Sequence, residues 1–207
     1  MELKNIIEQI IYQPLTHCKW LNTLSYMENA GARKISASED KENVNLIILK
    51  HAAEEHRHAY YLKKQIARID ASQCATYSRA ELLTPDHTRF YLNKLDIETC
   101  RYLKKSFGLD GSALRYAAYL FVTYAIEVRA DELYPVYQEV LDRVKSKVNV
   151  KSIILEEEGH LEEMINQLCT FSEDWQLHAD KVVEMEQRLF AQWVTALGSL
   201  VAEGKAA

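Results

Sequence analysis

Two stretches of the chain carry glutamates and a histidine in the same order: Glu54-Glu55-His56-Arg57-His58 and Glu156-Glu157-Glu158-Gly159-His160. Residues three apart on a helix share a face, one turn apart. Glu55 and His58 can then aim a carboxylate and an imidazole at one point, and so can Glu157 and His160. Each motif follows a segment with a glutamate embedded in apolar sequence, LSYMENAGAR at Glu28 and TYAIEVRADE at Glu127. Both of these glutamates have a small residue three later, Gly31 and Ala130. The unit is Glu, then Glu-x-x-His, used twice. Four carboxylates and two imidazoles from four helices are the ligand set of a dinuclear metal centre. Four buried carboxylates without counterions are very costly. Two divalent cations cancel four negative charges, and neutral imidazoles complete the coordination. Mixed oxygen and nitrogen ligation suits iron or manganese, and no thiolate favours zinc or copper(I).

A single Glu-x-x-His arises often by chance on an exposed helix. Two copies, each preceded by a glutamate in an apolar run, are far harder to obtain that way. Glu127 follows eleven uncharged residues, Tyr116 to Ile126, so its carboxylate is either a ligand or an unexplained burial. A check on register comes from the turns. The midpoint of Glu28 and Glu55 falls at residues 41–42, inside the expected turn. The midpoint of Glu127 and Glu157 falls at Asp142, before the expected break at 146–149, which keeps Asp131 and Glu132 as alternates for Glu127. A kink at Pro135 is expected to absorb the offset.

Neighbouring residues have graded roles. His51, one turn before Glu55, is a hydrogen-bond donor to a ligand, an extra ligand or a polar core residue. Tyr124, one turn before Glu127, and Tyr61, one turn after His58, either hydrogen-bond a ligand carboxylate, donate an electron or simply pack. His17, His56, His87 and His178 lack a paired acid in register and read as structural or exposed. Glu54, Glu156, Glu158, Glu162 and Glu163 read as solvated faces, with Glu156 or Glu158 as substitutes for Glu157 if the register shifts by one. Trp20, Trp175 and Trp193 read as packing residues.

Helices must position these groups. The first segment runs from about Glu2, is interrupted or kinked near Pro14 and continues toward Ser36. Residues 36–43 form a turn with Ser38 as N-cap. The second helix carries Val44, Ile48, His51, Glu55, His58 and Leu62, and fades near Asp70. Residues 71–84 form a loop, and Pro85 opens a helix that ends at Gly108. Asp110 or Ser112 caps the next helix, apolar almost all round and hence central. A fifth helix runs from about Val150 to Phe171 and a sixth from about Glu173 to Ala202.

With 207 residues the chain fits one domain spanning 1–207. Six glycines and three prolines are about 4% of the chain, against an average near 12%. A many-stranded β architecture needs more turns than that. The net charge is −5, with no basic block dense enough for nucleic acid. The longest uncharged stretch, Leu189 to Ala202, is 14 residues, too short for a bilayer. The N-terminus does not resemble a secretory signal. Four scattered cysteines without Cys-x-x-Cys fit reduced thiols in a cytoplasm and exclude a built-in rubredoxin.

The order Glu28, Glu55-x-x-His58, Glu127, Glu157-x-x-His160 resembles the ferritin-like di-iron carboxylate superfamily over most of residues 15–171. The resemblance implies an all-α fold: a four-helix bundle of two up-down pairs joined by a long crossover. Residues 71–110, with their extra helix, would be that crossover, and the C-terminal helix an addition. It also implies that Glu28, Glu55 and His58 serve one metal and Glu127, Glu157 and His160 the other, with Glu55 and Glu157 bridging. The cofactor would be two iron ions per chain, or manganese with iron. The expected activity is that of an oxidoreductase, an oxygenase or oxidase using dioxygen or peroxide on a small organic substrate. Electrons would come from the substrate or an external reductase or ferredoxin, and the protein would be a homodimer without nucleic-acid or membrane partners. Two other expectations compete: iron or peroxide handling as in rubrerythrin- or bacterioferritin-like proteins, and a non-enzymatic bundle whose acids bind zinc or nothing.

Overall fold

The computed structural model describes residues 2–204, the Glu158 side chain excepted. Within them the chain is all-helical, with no strand. Helix α1 spans Leu3–Ile11 and α2 spans Pro14–Ser38. Pro14 starts α2, where its fixed φ and missing N–H cost nothing, so the interruption expected there is a complete break. Ser38 does not cap the following helix: it is the last residue of α2, and its hydroxyl donates to the Ile35 carbonyl at 2.6 Å. The cap is Asn45, whose side chain accepts from the amides of Ile47 and Ile48 at 2.9 and 3.3 Å. The cause lies in Asp40. Its carboxylate takes the Glu42 and Asn43 amides and holds the segment as a loop. Helix α3 therefore starts at Leu46 and runs to Ile66, leaving Val44 exposed.

A single 3-10 turn, Arg79–Glu81, interrupts the loop that leads to α4, Pro85–Phe107. Gly108 ends α4 with φ 68°, the left-handed conformation that glycine adopts without penalty. Helix α5, Gly111–Arg143, contains Pro135 and is the longest element; α6 is Lys151–Phe171 and α7 is Trp175–Ala202. Asp110 occupies the N-cap position of α5, but its carboxylate pairs with Lys104 at 2.7 Å and makes no capping bond.

Helix α2 lies along α3 and α5 along α6, while α1, α4 and α7 pack on the α2 and α5 side. Trp20 and Trp193 stack at 5.7 Å between ring centres, and the Trp193 indole donates to Thr88 at 2.9 Å. A buried ion pair, Arg129 with Glu186 at 2.8 Å, ties α7 to α5, and the Tyr91 hydroxyl of α4 donates to the same carboxylate at 2.6 Å. Helices α3 and α6 meet through long polar side chains, described below. The connection after α5 folds back on the bundle: the Val150 amide donates to the Gln138 side chain at 2.7 Å. Helix α6 thus begins beside residue 138 rather than beyond residue 143, which takes up much of the register offset between Glu127 and Glu157. No helix among the described residues is long and apolar enough to cross a membrane. The four cysteines are free thiols.

Candidate metal centre

Glu28 comes from α2, Glu55 and His58 from α3, Glu127 from α5, and Glu157 and His160 from α6. The structure brings all six together. Ligand atoms of Glu28, Glu55, His58 and Glu157 lie within 4.8 Å of one another, and so do those of Glu55, Glu127, Glu157 and His160. The two groups share Glu55 and Glu157. All but Glu28, which is half-buried, are buried. These buried groups could hold a metal ion. Asp131 and Glu132 do not enter the cluster: both are exposed, and Glu132 pairs with Arg129.

The two imidazoles are held in the same way. His58 Nε2 donates to Glu156 at 2.8 Å, and His160 Nε2 donates to Glu54 at 2.8 Å. Each histidine is therefore oriented by the first glutamate of the other motif, across the gap between α3 and α6. Glu54 and Glu156, expected on solvated faces, are half-buried and bound to histidine. The doubled glutamate in both motifs was the available signal. With Nε2 held by a carboxylate, Nδ1 of each ring faces the cluster and offers its lone pair there once it loses its proton. His58 Nδ1 is 3.0 Å from Glu157 yet makes no hydrogen bond, a buried polar atom left without a partner. His160 Nδ1 is 3.2 Å from Glu157, 3.7 Å from Glu127 and 3.8 Å from Glu55.

His51 stands outside both groups. Its Nε2 donates to Glu163 at 2.9 Å, its Nδ1 accepts from the Tyr119 hydroxyl at 2.9 Å, and its ring centre is 5.1 Å from that of His160. Glu163, expected on a solvated face, is thus engaged by His51 and by Lys50. Glu162 is exposed as expected, and the Glu158 side chain lies outside the described residues. Tyr124 does not approach the cluster. One turn before Glu127 but rotated toward α7, it packs edge-on against Trp175. Tyr61 donates to Asn149 instead. The tyrosine at the cluster is Tyr134, whose hydroxyl donates to Glu28. It lies two turns after Glu127 on the same face, a spacing that the sequence contains but that only the fold turns toward α2.

Electrostatics match a crowded acidic site. Burial, followed by the charges of its glutamate neighbours, pushes the Glu55 carboxyl well above the usual carboxylate range. Glu127 is raised by burial and by Glu157. Burial opposes ionisation of Glu157 too, but hydrogen bonds from Glu127 and His160, with the nearby His58, outweigh it and lower its pKa. Burial works against protonated His160, yet Glu127 and Glu157 push it up to about 11. His58 is raised by Glu157 and Glu28 against the same desolvation. In the metal-free protein, protons therefore perform the neutralisation that divalent cations would otherwise supply.

A cavity of about 370 Å³ lies between α2, α4 and α5, with Glu28, Glu55 and Glu127 in its wall beside Tyr134. The remaining lining is mostly apolar and includes Leu95, Ala118, Val122 and Ile126. Gly31 and Ala130 also line it, so the small residue three after each embedded glutamate is where the cavity meets the cluster. Comparison of the chain with known protein families, characterised proteins and solved structures finds no match.

Proposed function

We propose that the chain is a ferritin-like four-helix bundle, with three added helices, that holds two iron ions and works as an oxygenase or oxidase on a small organic substrate. The observation that carries this reading is the apolar cavity ending on Glu28, Glu55 and Glu127. Metal storage needs an entry path for ions, whereas an apolar cavity of this size suits an organic molecule.

The residues present fit the pair of cations. Four carboxylates supply the balancing charge, His58 Nδ1 has no other partner, and His160 Nδ1 faces the same centre. Glu28, Glu55 and His58 would hold one ion and Glu127, Glu157 and His160 the other, with Glu55 and Glu157 between them. Bound ferrous iron supplies the electrons that let dioxygen react. Glu54 and Glu156 fix the imidazole tautomers. Tyr134 restrains the Glu28 carboxylate through one of its oxygens. The apolar wall excludes water from the substrate side.

Titration of metal-free protein with ferrous iron tests the reading. Two irons per chain are expected, with oxygen consumption well beyond the bound iron when substrate is present. His160→Ala should lose most of the metal while keeping its helical circular dichroism. Wild-type metal content in that variant would refute the ligand assignment. A cage of many subunits in light scattering, with oxygen use limited to the iron added, would transfer the reading to iron or peroxide handling.

A further inference from the structure

The cavity beside the centre has a length and a charge pattern that fit a particular kind of occupant. Its lining follows one stripe of α2 from Met27 to Ser38 and one stripe of α5 from Tyr134 back through Glu127 to Leu114. At 1.5 Å per residue, both stripes give about 15–20 Å from the carboxylates to the rim. The cavity's long, mostly apolar wall suits an extended alkyl chain running from the rim to the carboxylates.

The two ends differ in charge. The inner end carries Glu28, Glu55 and Glu127 and repels an anion. Toward the rim stand Lys34, Asp96 and Arg115. Lys34 is committed: it pairs with Asp96 and also donates to the Leu92 carbonyl at 2.9 Å. Arg115 is exposed and makes no hydrogen bond or ion pair among the described residues, the acid whose charge it faces being Asp40. An anionic head group therefore has an exposed cation to meet at the rim, whereas the cation toward the far end, Arg129, is already bound to Glu132 and Glu186.

We infer that this slot binds an unbranched alkyl carboxylate of about ten to twelve carbons, head at Arg115 and terminal methyl against Glu28, Glu55 and Glu127. The orientation deepens the proposed oxygenase reading and rests on it, since it presents the tail end of the chain to the reacting centre. The binding itself does not need the metal.

Calorimetry of metal-free protein with dodecanoate, hexanoate and dodecan-1-ol, each below its aggregation limit, tests the assignment. Dodecanoate should bind one to one, and hexanoate and dodecan-1-ol at least tenfold more weakly. Arg115→Glu, a surface change, should weaken dodecanoate at least tenfold, and Ala118→Trp should block the slot. Absence of dodecanoate binding overturns the assignment, and so does dodecan-1-ol binding as tightly as dodecanoate or an unaffected Arg115→Glu variant. Ferrous titration of the same sample separates the two proposals. Two irons without dodecanoate binding removes the slot and leaves the centre. Dodecanoate binding without metal uptake upholds the slot and removes the centre.

Discussion

Nε2 of His160 on α6 donates to Glu54 of α3 at 2.8 Å. The reciprocal bond runs from His58 of α3 to Glu156 of α6 at the same distance. The two motifs therefore lock each other's imidazoles with Nδ1 turned inward. Outer partners of this kind tune ligand basicity and orientation, and their loss commonly costs about 10–100-fold in metal affinity. Glu54→Ala and Glu156→Ala should each weaken ferrous binding by that factor with little change in helical content. Competition against a coloured chelator measures it. Glu54→Gln, whose amide oxygen still accepts, should lose less. Equal affinities for Glu54→Ala and the wild type would show that the cross-bond does not position the ligand.

Metal uptake should release protons. Glu55 and Glu127 have carboxyl pKa values raised by burial and neighbouring acids, and His58 and His160 have raised imidazole pKa values. All four are more protonated in the metal-free protein than when free in water, and ligation needs them deprotonated. Apparent affinity should therefore rise with pH through the neutral range. Calorimetric enthalpies should also differ between two buffers of unequal ionisation enthalpy. Identical enthalpies in both buffers would mean that no proton leaves.

The six clustered residues were legible because helical spacing is local: Glu-x-x-His shares a face whatever surrounds it. Glu54 and Glu156 were harder to read. Each sits next to a cluster residue in sequence and is rotated about 100° from it, a direction that reads as solvent until α3 and α6 stand opposite each other. Tyr134 and Tyr124 show the same limit. Both are near Glu127 in sequence, and the placement of α2 and α7 decides which one reaches the cluster. The start of α3 depended on competition within the loop, where Asp40 captures amides that a cap at Ser38 would have needed to release. The cavity was not legible, because its width is set by how far α4 stands from α2 and α5.

His17 makes stability depend on pH away from the centre. Its ring is buried, and burial lowers its pKa from 6.5 to about 4. The Tyr137 hydroxyl lies 2.7 Å from Nε2. The unfolded chain gains a proton on this ring as pH falls through about 6.5, while the folded chain resists until about 4. Stability is thus fully present above about 6.5 and falls with pH down to about 4, by on the order of 3 kcal/mol from this residue. Urea unfolding of the wild type and His17→Gln at a series of pH values isolates this share from that of the cluster. The difference in stability between the wild type and His17→Gln should shrink as pH falls from about 6.5 to about 4, and a difference independent of pH would show that His17 does not titrate this way.

Arg129 and Glu186 should be costly to separate. Glu186 is 1% exposed, accepts from Arg129 Nε and Nη2 at 3.0 and 2.8 Å, and takes the Tyr91 hydroxyl as well. The guanidinium also lies 4.0 Å from the centre of the Phe190 ring. Removing one partner leaves a buried charge uncompensated, at a cost of about 3–5 kcal/mol, whereas replacing both by apolar residues is often close to neutral. Arg129→Met should therefore lower the unfolding free energy by about that amount, and Arg129→Met with Glu186→Leu should recover most of it. The Tyr91 hydroxyl, left without its acceptor in the double variant, keeps the recovery incomplete. Chemical denaturation of the wild type, Arg129→Met, Glu186→Leu and the double variant completes the cycle. Additive losses would show that the pair contributes nothing as a pair and that α7 is held by its other contacts, among them Trp193 with Trp20 and Phe190 with Tyr91.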